Sequence, residues 1–541
     1  MKSGAKFNIS RRKFLSLSIF IAVGSRFLSS CKSAGNKLFL KLTGTHHVLG
    51  HRLRFPDFPK PSKTLKTPIL ILGGGVSGLS AAYQLTNGGL HDFLLIDMEK
   101  KVGGNAKSDQ NEFSKYPLGA HYLPVPNRSN TALIRFLEEC EIIIGRDAKD
   151  NPIFDPEQLS FAPQVRLFLR NTWQEGLIPR YGLEEAETEE FSRFLKQMTN
   201  FQSQKGKDNK FVFDIPLAHA SQQHELTSLD QYTMHDWMLK EGYRGEYLFN
   251  YVNYCCRDDY GLGAKHISAF AGIHYFAARK HDLIDDYDNV LTWQEGNARL
   301  TSHLTAKSKG KVLTEQLAYK ISIEDDRVEV LVYDEISNSS SLITADFVIS
   351  CCPQFVNQYL IPERSKLTKD FTYVPWVVAT LVLNKFPFAD GVPLAWDNVI
   401  HGAKGLGYVY AQQQSLAQFS SPFVISYYHS MDDGDVKKSR AQLFEWTDEQ
   451  WKQFILNDLS IAHYGIAEEV QSMEIYRHGH GMICPVPGFL NSSSKQHLAE
   501  PIEEKIFFAH SDLSGISIFE EAFYQGINVA DKVLAKQVFK G

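Results

Sequence analysis

Residues 67–97 hold a pattern that few folds can accommodate. Pro68-Ile69-Leu70-Ile71-Leu72 is a short continuous apolar run, as in a parallel strand buried on both faces. Gly73-Gly74-Gly75-Val76-Ser77-Gly78 follows it and fits G-x-G-x-x-G. Leu79 to Leu85 continues as a helix with small residues on one face, and Asn87-Gly88-Gly89 ends it. Phe93-Leu94-Leu95-Ile96 reads as a second strand, closed by Asp97. Strand, glycine turn, helix, strand and acid in that order predict an α/β fold with a Rossmann-like parallel sheet.

Each residue type in the turn has a physical use. Gly73 allows the tight turn, and Gly75 lets backbone N–H groups approach a pyrophosphate. Val76 and Ser77 start the helix, where unpaired N–H groups and the positive dipole end favour phosphate. Gly78 lets the helix pack on the strand. Asp97 stands 19 residues after Gly78, where a carboxylate accepts from ribose hydroxyls. The motif predicts a bound dinucleotide.

The chain is 541 residues long, beyond the roughly 250–300 at which one core stops growing, so two domains are expected. Hydrophobic residues make up 43% and charged residues 22%, which excludes disordered and fibrous classes. The net charge of −5 offers no basic excess for nucleic acid. Seven cysteines, none in a CxxC pair, are too few for a disulfide scaffold.

Residues 1–30 read as an export signal. They carry Lys2, Lys6, Arg11, Arg12, Lys13 and Arg26 and no acid. The apolar run from Phe14 to Val23 is shorter than the ~20 residues a membrane span needs. Arg11-Arg12-Lys13-Phe14-Leu15 resembles a twin-arginine signal, so the twin-arginine export machinery is an expected partner. Leu28-Ser29-Ser30-Cys31 resembles a lipobox, which predicts a periplasmic-side lipoprotein anchored to the membrane through lipid on Cys31. Without residues 1–30 the chain keeps 51 basic against 62 acidic residues, a distinctly acidic body. Residues 31–66 read as a linker. Its His46, His47 and His51 have no Cys or acid at ligand spacing, so no metal site is expected.

Beyond Asp97 the sequence becomes more specific. Val102-Gly103-Gly104-Asn105 follows, then Tyr116-Pro117-Leu118-Gly119-Ala120-His121-Tyr122. Val312–Ile321 leads into alternating Val328-Glu329-Val330-Leu331-Val332, then Ala345-Asp346-Phe347-Val348-Ile349-Ser350-Cys351-Cys352-Pro353. Near the end, Ile506-Phe507-Phe508-Ala509 precedes His510-Ser511-Asp512 and a last helix containing Gly526. This series resembles the FAD-dependent amine oxidase and phytoene desaturase superfamily.

The resemblance implies a GR2-type FAD-binding domain, with parallel sheet and β-meander, from residues 67–150, 266–360 and 495–541. A mixed α+β substrate domain is inserted as 151–265 and 361–494. It implies that Gly103 and Gly104 approach the pyrophosphate, that Gly119, Ala120 and His121 pass near the isoalloxazine, and that Ala318 makes a backbone adenine contact. Asp512 holds the ribityl chain or pyrophosphate, and Gly526 keeps the last helix small for close approach. A basic residue often follows the glycine doublet in that family; this chain has Asn105. The lysine position of amine oxidases, aligned on Pro387-Phe388, falls near Ala379. No Cys lies near Asp512 at the spacing of a covalent flavin, so FAD is expected to be non-covalent.

Flavin supplies the redox chemistry, and the protein orients the substrate and excludes water. Tyr476 and His480 are candidates to face the flavin, with His480 able to move a proton. Asp259, among the aromatics of Tyr251–Gly261, either pairs a substrate cation or joins a structural Arg–Asp network. Trp293-Gln294-Glu295-Gly296-Asn297 resembles the family's segment near the flavin. Cys255-Cys256 and Cys351-Cys352 are read as small buried hydrophobes rather than redox centres. The expected function is hydride transfer from an amine or C–H bond of a small molecule to FAD. The rivals are a non-redox flavin isomerase of the sugar mutase type and a flavin-binding lipoprotein without turnover.

Overall fold

In the computed structural model, the apolar run ending at Leu72 is the inner half of the strand Pro61–Leu72, in the middle of a seven-stranded sheet. The described residues are 38–223, 228–283, 289–386, 389–416, 418 and 420–538, so the signal, Cys31 and Pro387-Phe388 lie outside them. Ile69 to Leu72 are buried because layers cover both faces of the sheet. Pro61–Leu72 pairs in parallel with Leu94–Ile96 on one side and Ser339–Ser350 on the other. Gln316–Glu324, Arg327–Asp334 and Ser339–Ser350 form the antiparallel succession that their alternation predicts. Ile506–Phe508 returns from the far end of the chain to pair in parallel with Ser339–Ser350.

The helix Val76–Asn87 and the terminal helix Phe519–Val538 pack on this sheet, joining Leu79, Tyr83, Phe523 and Val533 in one core. Gly526 is the crossing point. A β-carbon there would lie 2.1 Å from the Ser77 carbonyl oxygen and 2.9 Å from the Ala81 nitrogen. The small face expected to admit the cofactor therefore admits the neighbouring helix instead.

A second sheet has eight strands, centred on Tyr373–Leu383, whose residues are all buried. Val470–Ile483 and Phe423–Ser430 flank it. Asp397–Ile400 continues the sheet and pairs in parallel with Val165–Leu169. Helices Glu185–Ser203, Met234–Lys240, Glu246–Tyr260 and Ala269–Ala277 form an aromatic-rich cluster against this layer, with Phe194, Trp237 and Phe270 buried in it.

The stretch expected to be a linker is folded from residue 39 onward. Phe39–Gly44 adds a strand beside Val470–Ile483, and Pro61 to Lys66 lengthen the central strand of the first sheet. Between them, His47–His51 and Arg52–Arg54 are short helical turns. Leu49 and Leu53 are buried in the same core as Leu72, Ile96 and Ala318. Two leucines at helical spacing give this stretch an apolar face among its prolines and basic residues. Residues 40–541 make one compact unit; of the separate unit 1–39, only Leu38 and Phe39 are described.

Candidate functional site

A cavity of about 1160 Å³ runs through the compact unit. Ordinary small-molecule sites span roughly 300–1,000 Å³, so there is room for a dinucleotide with a substrate. Gly73, Gly75, Val76 and Ser77 line one end. Gly73 has φ +98°, which an L side chain rarely adopts, and its N–H donates to the Ile96 carbonyl at 2.8 Å. The Asp97 carboxylate accepts from the N–H of Gly74 at 2.6 Å and of Glu99 at 2.7 Å. Burial raises its pKa, and those two bonds oppose the rise. Each oxygen keeps a lone pair for a ribose hydroxyl. The Gly103 N–H donates to the Gly74 carbonyl at 2.7 Å. Gly78 and Gly103 shape the turn and are not on the cavity wall; Gly104, Asn105 and Ala318 are.

Farther along, the Ala120 N–H donates to the Asn105 carbonyl at 2.9 Å, which fixes the Gly119-Ala120-His121 wall to the glycine doublet. Burial lowers the His121 pKa to about 4, so its ring is neutral, 4.4 Å from Tyr428 between centroids. Gly296, at φ +58°, packs beneath this wall. Asn297 Nδ2 donates to the Tyr122 carbonyl at 2.7 Å, while its buried Oδ1 has no protein partner. Cys351 and Cys352 line the cavity, and all six described cysteines are free. Burial pushes the Cys255 and Cys256 thiols up, which makes them inert. Among the described residues no cluster of His, Cys, Asp and Glu is placed to hold a metal.

Several candidates take other positions than expected. Tyr476 packs with Tyr116, Leu118 and Val424 off the cavity wall: it shares the strand face of His478, but this strand forms wall only from His478 onward. His480 does line the cavity, but stacks on Phe355 at 4.0 Å. Burial, then Arg440, Arg54 and His51, lower its pKa to about 3, so its ring is neutral near pH 7. Asp259 faces the cavity but is paired with Arg279 at 3.2 Å, the structural network. Asp512 is fully buried behind Ser511 and does not line the cavity. Its Oδ2 accepts from the Gln354 N–H at 2.7 Å and the Tyr373 hydroxyl at 2.6 Å. Its Oδ1 stands 3.1 Å from His510 Nδ1. That nitrogen already accepts from the Asp512 N–H, so Oδ1 receives no hydrogen bond.

The other end of the cavity is a chamber that the sequence did not announce. Tyr122, Tyr254, Tyr275, Trp396 and Tyr428 surround Asp258 and Asp397 there. Burial raises Asp397 to about 7. Asp258 is raised well above the carboxylate range by burial, then by Asp259 and Asp397. Glu520, at the start of the terminal helix, lines the same end. Only Asp258 and Asp259 stood out in the sequence, by their closeness to tyrosines. Asp397 and Tyr428 lie on strands, and Trp396 immediately before one, whose pairing brings them in. Val378 and Trp376 of the central strand face the cavity, while Ala379 does not, and no lysine lines it among the described residues.

The residues present fit FAD. A helix start with unpaired N–H groups and two glycine segments meeting at their α-carbons suit a dinucleotide's phosphates, and the Asp97 carboxylate on the same wall suits its ribose. The description "flavin containing amine oxidoreductase" matches residues 76–534. An L-amino acid oxidase of Bothrops pictus is 23% identical over 421 residues, covering 75% of this chain and 76% of its own. A wild-type putrescine oxidase bound to putrescine has a TM-score of 0.64 at 17% identity, covering 87% of this chain and all of its own. A CLA-producing fatty acid isomerase from P. acnes has a TM-score of 0.59 at 14% identity, covering 86% of this chain and 98% of its own. The chain belongs to the flavin-containing amine oxidoreductase family and is an FAD-dependent oxidoreductase.

Proposed function

We propose that the protein oxidises a cationic amine, and that the carboxyl pair Asp258 and Asp397 in its aromatic chamber selects it. The observation that supports this reading is the burial of two extra carboxyls beside π-faces with one cation, Arg279, already paired to Asp259. A substrate ammonium over Tyr and Trp faces is attracted to their ring quadrupoles. It also offsets the cost of ionising Asp258 and Asp397 in a dry site. FAD, when bound, accepts the hydride from the carbon beside nitrogen. The reacting nitrogen must lose its proton first. Asp397, raised to about 7, is matched to receive it near neutral pH. Tyr122 donates to Asp258 Oδ2 at 3.4 Å and keeps that carboxyl aimed inward. The GR2-type FAD domain with an inserted substrate domain is the organisation that accords with the two sheets. The sequence of residues 1–31 supports export by the twin-arginine route and lipid attachment at Cys31.

The test is anaerobic mixing of the purified yellow protein with a diamine such as putrescine, a monoamine of equal length and a neutral amino acid. The reading predicts loss of the oxidised flavin's visible absorption, fastest with the diamine. Bleaching by the neutral amino acid alone sinks it. Lasting colour with no bleaching by any of them points to a flavin protein without turnover.

A further inference from the structure

Two permanently charged cations line the cavity among the described residues, Arg54 and Arg279. Arg279 is committed to Asp259. Arg54 has no carboxylate partner among the described residues, and it has cationic neighbours. Apart from burial, the charge of Arg54 is the leading influence lowering the pKa of both His51 and Arg440, and it also lowers that of His480. No carboxylate contributes to any of these three shifts. Arg440 is held in place by donating to the carbonyls of Gly479 at 2.6 Å and Tyr373 at 2.7 Å. Arg440 does not line the cavity and burial favours the neutral form of both histidines, which leaves Arg54, among the described residues, as the charged cavity-lining group without a carboxylate partner.

Among the described residues, the wall beside the glycine doublet carries no cation. The position after the glycine doublet is Asn105, whose Nδ2 donates to the Gly481 carbonyl at 2.6 Å. The next basic residue, Lys107, pairs with Glu99 at 3.2 Å and does not line the cavity. Arg54, in contrast, is carried to the site by a well-anchored segment. The His46 N–H donates to Glu99 Oε1 at 2.8 Å, and Gly50 packs against Met98, next to Asp97. Leu49 and Leu53 are buried on either side of these contacts.

We propose that Arg54 supplies the cationic contact to the diphosphate of FAD that position 105 lacks. A guanidinium suits this task because its planar fork meets phosphate oxygens bidentately. The residues before the first nucleotide strand are thus part of the cofactor site.

The experiment compares the full chain with its Arg54→Ala and Arg54→Lys variants. FAD release from the holoprotein on dilution is followed by flavin fluorescence at low and high salt. Flavin-stripped protein is titrated with FAD and with riboflavin, which has no phosphate. Arg54→Ala is expected to weaken FAD at least tenfold, to flatten its salt dependence and to leave riboflavin unchanged, and Arg54→Lys, which keeps the charge but not the fork, restores only part of the loss. Unchanged FAD release in Arg54→Ala overturns the proposal. So does equal weakening of FAD and riboflavin, which is what a merely packed segment would give.

Discussion

Gly75 and Gly104 face each other so closely that a β-carbon on Gly104 would lie 3.0 Å from the Gly75 α-carbon. Gly104 also has φ +57°, where an L side chain costs ~1–3 kcal/mol. Gly75, at φ −73°, has room for a β-carbon 3.8 Å from Gly104. Gly104→Ala is therefore expected to fold with lowered stability and lose most of its FAD. The flavin-to-protein ratio after purification checks this, with Gly75→Ala keeping the higher melting temperature of the two.

The crossing of the terminal helix over Val76–Asn87 leaves no volume at Gly526. Gly526→Ala must push the helices apart, at about the 1–3 kcal/mol that overpacking costs. Thermal unfolding should show a drop of several degrees and earlier flavin release. An unchanged melting temperature contradicts the packing described above.

Asp397 yields a prediction with a defined sign. Between about pH 4 and about pH 7 the folded state keeps a proton on this carboxyl that the unfolded chain has released. Stability therefore declines as pH rises through that window, and Asp397→Asn removes the decline. If the carboxylate also receives the substrate proton, kcat/KM of the native enzyme rises as pH passes about 7. The variant loses that limb and about 10²-fold or more in rate. Parallel pH profiles of unfolding and turnover test both halves.

Tyr373 donates to a buried carboxylate oxygen, Asp512 Oδ2. Hydrogen bonds of this kind contribute about 1.5–3 kcal/mol. Tyr373→Phe should lower the denaturant midpoint accordingly while leaving the flavin bound, because the Gln354 N–H still holds the carboxylate.

The signal can be tested in cells. Arg11→Lys combined with Arg12→Lys should block export of the yellow protein. Cys31→Ala should leave export intact and release a soluble form, read by fractionation and by lipid labelling.

The nucleotide end was legible because its geometry is local. Residues 68–97 are consecutive, and glycine at Gly73 and Gly104 answers a backbone demand that the sequence states directly. The chamber was not legible because it is assembled over long separations. Asp397 reaches it through a strand paired with residues 165–168, more than two hundred positions earlier. Tyr476 shows the same limit. It lies on the strand face of His478, two residues short of where that strand joins the wall, and spacing from a downstream Pro-Gly does not fix where the wall begins. Gly526 answers a demand for a small face, but its neighbour is the helix Val76–Asn87, and only tertiary packing identifies partners.

The pairing of Ile506–Phe508 with Ser339–Ser350 has a consequence for biosynthesis. The ribosome makes that edge of the nucleotide sheet, and the helix that packs on it, only after all the residues between Ser350 and Ile506 have been added. Chains truncated before Ile506 should emerge colourless and depend on chaperones, however complete their glycine turn.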